Sequence, residues 1–147
     1  MSERKNRQGA SEAGAVDVCV RLARAFADIT RYVDARLSNI HGIGFSDFMM
    51  LYHLERAPGQ RLRRMDLAEQ MGLSASAVTR ALLPLEKIGM VARESDPRDA
   101  RVGFATLTKA GARVLAEARA TAQVACEDVL GQVRMDWDAL GRFSAQR

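Results

Sequence analysis

Cysteine and histidine are scarce in this chain, and each scarcity closes off a class of function. Two cysteines, Cys19 and Cys126, in 147 residues make neither a disulfide framework nor a zinc site. Two histidines, dispersed carboxylates and no phosphate-cradling glycine loop leave no catalytic constellation, so neither an enzyme nor a bound metal or cofactor is expected. No apolar run approaches the ~18 residues of a membrane span. The early basic residues Arg4, Lys5 and Arg7 are followed by a polar stretch rather than the apolar core of a secretory leader. A cytoplasmic protein with no membrane partner is the simplest expectation. Charge of one sign is also in short supply: 22 Lys and Arg face 18 Asp and Glu. The resulting +4 leans toward polyanionic partners without deciding for them. A hydrophobic content of 48% fits one domain, able to bury roughly two-thirds of its unfolded surface.

What the chain does have is concentrated between Gly72 and Gly111. Ser74 is a good helix N-cap, since its side-chain oxygen can accept a bond from a first-turn N–H. Val78, Leu82 and Leu85 then recur at helical spacing and form one apolar face. Ser76, Thr79, Arg80 and Lys87 follow the same spacing on the opposite face. Gly89 ends the helix, because a residue without Cβ adopts the left-handed conformation cheaply. Two short β-type runs follow, around Met90–Arg93 and Val102–Leu107, separated by a loop of Ser, Asp, Pro and Arg. A helix with hydroxyls and an arginine on one face, followed by a hairpin with a basic tip, suits duplex DNA. The major groove admits a helix, and an arginine on a thin projection can enter the narrow minor groove. Surface charges that merely keep the protein soluble are the plainer alternative.

The order of these residues resembles the MarR family of winged-helix transcriptional regulators. The resemblance is carried by Ser74, Val78, Thr79, Arg80, Leu82, Leu85, Glu86, Gly89 and Val91, then Asp99 and Arg101, then Leu107, Thr108 and Gly111. It extends more weakly from about Val16 to the C-terminus. Several linked motifs in the right order are far more specific than one short match.

Around that stretch the chain reads as mainly α with a small β-hairpin wing. A polar tail, 1–14, is expected to be disordered. A single domain, 15–147, follows, with dimerisation helices at 15–40 and 109–147 and a winged helix-turn-helix lobe at 46–108. The first helix, from Ala15 to about Asn39, has a long apolar stripe that includes Val16, Val20, Ala23, Ala27, Val33 and Leu37. Ser46 looks like the N-cap of a second helix, Asp47 to Arg56, apolar on most sides and therefore central. Leu62 to Met71 reads as a third helix with Met65, Leu67, Ala68 and Met71 inward. With Gly72-Leu73-Ser74 and the helix beyond, it makes a helix-turn-helix pattern. Arg61, Arg63 and Arg64 crowd the start of that third helix, where positive charge opposes the helix dipole. Phosphate contact would compensate; plain solvent exposure is the other reading. Pro84 inside the recognition helix removes an N–H and predicts a bend near Arg80–Leu83. Thr108 caps a long helix from Lys109 to about Val133, and Asp136 is placed to cap a short last one anchored by Trp137, Leu140 and Phe143. These terminal helices carry more apolar surface than a fold of this size hides by itself, which points to a dimer. The resemblance implies a homodimer formed through them.

The DNA-facing set expected from this pattern is Ser76, Thr79 and Arg80, with Ser74 chiefly a cap and Lys87, Arg63, Arg64 and Arg98 toward phosphates. A two-fold dimer sets its recognition helices about one DNA turn, or a multiple of it, apart, so its site should be a pseudo-palindrome. Asp99 and Arg101, two apart in an extended segment, would project to the same side, so that the carboxylate orients the guanidinium. The resemblance implies that Arg101 enters the minor groove. It also implies repression as the commoner behaviour, and release by a small aromatic or phenolic effector. Tyr32, His41, Phe48, Tyr52 and His53 are candidates for an effector pocket, with core or surface roles as the alternative. Oxidant-sensing members carry a reactive cysteine near the start of the first helix, which raises Cys19; on an apolar stripe, however, it would be buried and inert. A winged-helix module used only for protein interaction is the remaining alternative.

Overall fold

A computed structural model describes residues 14–133, Asp136 and Arg142. The expected tail up to residue 13, and the last helix anchored by Trp137, Leu140 and Phe143, lie outside the described residues. Helix α1, Ala15–His41, stops where Gly42 turns left-handed at φ 70°. Only its C-terminal half is packed, through Val33 and Leu37, while every residue from Gly14 to Asp28 is exposed.

Helix α2, Phe45–Arg56, begins two residues before the Asp47 start that a Ser46 cap predicted. The Asp47 carboxylate accepts the Gly44 N–H at 2.9 Å, and Asp34 Oδ1 on α1 accepts the Phe45 N–H at 2.8 Å. Two carboxylates thus satisfy the first donors, one of them from another helix, and Ser46 is left exposed inside the first turn. Phe48, Met50, Leu51 and Leu54 are buried, so α2 is central as its all-round apolar sequence required.

The third segment differs from the helix expected over Leu62–Met71. Arg61–Arg63 is a short strand, β1, and the helix α3 is only Arg64–Met71. A three-residue strand gives almost no period-two signal, and its partner lies some forty residues away: Arg61, Leu62 and Arg63 pair with Thr106, Ala105 and Phe104. Leu67 and Ala68 are buried, but Met65, expected inward, is 75% exposed in the first turn of the shortened helix. Helix α4, Ala75–Lys87, follows after Gly72 at φ 64°. It continues through Pro84 as one helix, with Ile88 N–H still reaching the Pro84 carbonyl. Gly89 stops the chain at φ 78°.

Strands β2, Val91–Ser95, and β3, Gly103–Leu107, form the hairpin, and the antiparallel sheet runs β1-β3-β2. Thr108 caps the long helix α5, Lys109–Leu130, its Oγ1 accepting the Gly111 N–H at 3.0 Å. Helix α5 then packs along α1 and α2. A Glu55–Arg119 ion pair joins it to α2, and a 2.8 Å hydrogen bond between His41 and Thr121 joins it to α1. One apolar core, with Leu37, Leu51, Leu67, Leu82 and Leu115 fully covered, therefore serves both the lobe and the long helices.

Candidate nucleic-acid interface

Ser74 does what its chemistry suits: its Oγ accepts the Ala77 N–H at 3.2 Å and lies 3.2 Å from the Ser76 hydroxyl. Val78, Leu82 and Leu85 drive α4 against the core, and that fixes the opposite face outward. Ser76, Arg80 and Lys87 are exposed there and Thr79 is half-buried. Leu83 lies exposed among them. Neither Arg80 nor Lys87 has a charged partner among the described residues, so both present uncompensated charge.

The hairpin tip is folded by its own carboxylates. Asp96 Oδ1 accepts the Arg98 N–H at 2.7 Å, and the Asp96 N–H reaches the Val102 carbonyl at 3.0 Å. Asp99 to Val102 is a turn, closed by the Val102 N–H on the Asp99 carbonyl at 3.0 Å. Asp99 and Arg101 are therefore not neighbours on an extended strand, as spacing alone predicted. They meet because Asp99 Oδ1 accepts the Arg101 backbone N–H at 3.0 Å and sits 3.5 Å from its Nε. The guanidinium is still oriented by the carboxylate, and the Arg101 side chain remains 94% exposed. Asp99 is spent on this local fold, which explains an acidic residue at a basic tip.

The crowded arginines separate into different roles. Arg63 is exposed. Arg61 lies over the Phe104 ring, 4.0 Å from its centroid, and pairs with Glu94 at 3.6 Å. Arg64 turns inward and donates to Glu86 Oε1 at 2.6 Å, with side chains only 11% and 17% exposed. This pair was not anticipated from the sequence. Its one signal was Glu86 on the flank of the recognition helix, beyond the reach of any local partner.

The five effector candidates sit in different surroundings. Tyr32 on α1 donates to Asp128 at 3.2 Å and accepts from Arg36 at 2.8 Å. His41 is taken by Thr121. Phe48 is buried and stacks on Tyr52, 6.5 Å between centroids. Tyr52 and His53 line a cavity of about 350 Å³ with Arg56, Pro58, Leu62 and Gln70. Burial lowers the His53 pKa, a hydrogen bond with Gln70 opposes that, and Arg56 adds to it. Cys19, expected to be covered, is exposed, as is every described residue from Gly14 to Asp28 around it on α1. Cys126 is half-buried, and burial pushes its thiol pKa up. No cluster of three metal-ligating side chains occurs among the described residues, and no described helix is long and apolar enough to cross a membrane.

A helix pair with a capped, polar-faced second helix and an arginine-tipped hairpin beside it defines a winged helix-turn-helix protein. Residues 46–102 match the model of the MarR family. In overall structure the chain is similar to a MarR family transcriptional regulator from Streptomyces coelicolor in complex with DNA, with 27% identity and TM-score 0.77, covering 89% of this chain and 84% of that one. The regulator MosR from M. tuberculosis, in complex with DNA, shares the fold at 23% identity and TM-score 0.73, covering 87% and 90%. CouR from Rhodococcus jostii, bound to p-coumaroyl-CoA, does so at 24% and 0.71, covering 88% and 90%. No curated protein sequence matches. Over residues 46–102, and in its overall fold, the chain is similar to the MarR family of DNA-binding transcriptional regulators.

Proposed function

We propose that this chain binds a pseudo-palindromic operator as a homodimer and acts as a repressor released by a small aromatic or phenolic effector. The observation that carries DNA reading is a pair of exposed basic projections: Arg80, without a charged partner among the described residues, on the outer face of α4, and Arg101, oriented by Asp99, at the wing tip. An arginine on a helix can pair bidentately with guanine, and one on a thin wing suits a narrow minor groove. Ser76 and Thr79 contact base edges or phosphates, and Arg63, Lys87 and Arg98 contact phosphates.

The homodimer rests on α1. Val16 is 76% and Phe26 66% exposed along a segment that is left uncovered among the described residues. A second copy covering that stripe explains why so apolar a helix projects, and it would also cover Cys19, which argues against oxidant sensing there. An aromatic effector is supported by the contiguous Phe48, Tyr52 and His53 rings and by the p-coumaroyl-CoA bound in the Rhodococcus jostii structure. Selection of the full-length protein against a random duplex pool tests the operator claim. Two related half-sites, one helical turn or a multiple apart, are expected. Enrichment of a single asymmetric site, or of nothing, contradicts the reading.

A further inference from the structure

We propose that Arg64 and Glu86 are a positioning pair that holds the recognition helix and the wing in one fixed relation, so that groove and minor-groove contacts fall in register. The inference rests on the DNA reading above and assigns Arg64 a different task from the phosphate contact its sequence position suggested.

Three elements meet at this side chain. Arg64 opens α3, Glu86 lies near the C-terminal end of α4, and the 2.6 Å bond joins them across the helix-turn-helix. The Arg64 stem lies beside the first residue of β3: a Cβ on Gly103 would sit 3.4 Å from its Cδ and 3.5 Å from its Nε. The strand register leads there, since Arg63 pairs with Phe104, and the next step along both strands sets Arg64 beside Gly103. Gly103 in turn pairs with Ser95, the last residue of β2 before the wing tip. One arginine therefore touches the helix that reads DNA and the base of the hairpin that carries Arg101.

Its burial and its bond to Glu86 argue against the phosphate role. Arg64 Nε is inaccessible and without a hydrogen-bond partner, and the opposite end of the guanidinium is bonded to Glu86. Arg63, Arg64 and Arg101 line one cleft of about 180 Å³, and of the three Arg63 and Arg101 are exposed to solvent whereas Arg64 is largely covered. A nearly buried ion pair adds little net stability against well-packed apolar residues, whereas removing one partner strands a charge. Fixed geometry is the return on such a pair.

The test uses the duplex that wild type enriches from a random pool, with a scrambled duplex as control, at several salt concentrations. Arg64→Met alone leaves Glu86 uncompensated and risks unfolding, so the informative variant is Arg64→Met with Glu86→Met, followed by the exchange Arg64→Glu with Glu86→Arg. The double methionine variant is expected to fold, to keep the wild-type salt slope and scrambled-duplex affinity, and to lose at least tenfold in preference for the enriched duplex. The exchanged pair is expected to recover part of that preference. A slope reduced by about 0.9 per arginine lost, with both duplexes weakened alike, would make Arg64 a phosphate contact and overturn the proposal. An unchanged preference in the folded methionine variant would reduce the pair to plain structure and overturn it equally. If wild type enriches no sequence at all, the DNA reading itself fails and this proposal with it.

Discussion

Arg101 and His53 show how differently two polar residues can be used. Arg101 is almost wholly in solvent, steered by one carboxylate through a turn. An arginine already oriented loses less rotamer freedom on binding than a free one. Arg101→Ala is expected to weaken operator binding at least tenfold, about 1.4 kcal/mol, without changing dimerisation. Titration at fixed salt checks the first part and sedimentation the second. His53 is held below its ordinary pKa of 6.5 chiefly by burial. The unfolded chain then binds a proton more readily than the folded one. Stability should therefore be fully present above the ordinary value and fall as pH drops through the lowered one. Urea midpoints from about pH 7.5 to about pH 5 should show that loss in wild type and a flatter profile in His53→Gln.

Elements in this chain were legible where a side chain closed its own local bond. Ser74 and Thr108 cap the helices they were expected to cap, and Gly89 takes the left-handed turn. Where the bond was distant, local reading failed. The start of α2 depends on Asp34 from another helix, β1 exists only because β3 pairs with it, and Arg64 finds Glu86 twenty-two positions away. The wing turn was missed for a related reason. Spacing assumed an extended strand, whereas Asp96 and Asp99 each fold the backbone back by accepting an N–H two residues on. Gly111 is an element-level requirement of the same kind. A Cβ there would lie 2.1 Å from the Met90 carbonyl oxygen, so α5 can start against β2 only with glycine. Gly111→Ala should cost at least about 1–3 kcal/mol by overpacking, read as a lowered thermal midpoint.

At the scale of the whole molecule, the long helices and the lobe share one core, while the N-terminal half of α1 is exposed among the described residues. The apolar stripe along α1 was plain in the sequence. That its first half stays exposed among the described residues was not, because periodicity shows which face is apolar and not what covers it. A homodimer through that face predicts that Phe26→Asp yields monomers in sedimentation and lowers operator affinity, although the lobe stays folded. Retention of the dimer would place the interface elsewhere.

The central claim is sequence-specific recognition of duplex DNA, and one titration addresses it most directly. Purified full-length protein is titrated by fluorescence anisotropy against the duplex it enriches and a shuffled duplex of the same composition, at matched near-physiological salt. The account predicts a preference of about 10³ or more for the enriched duplex, with affinity falling as salt rises. Equal affinity for the two duplexes, or binding indifferent to salt, would contradict it.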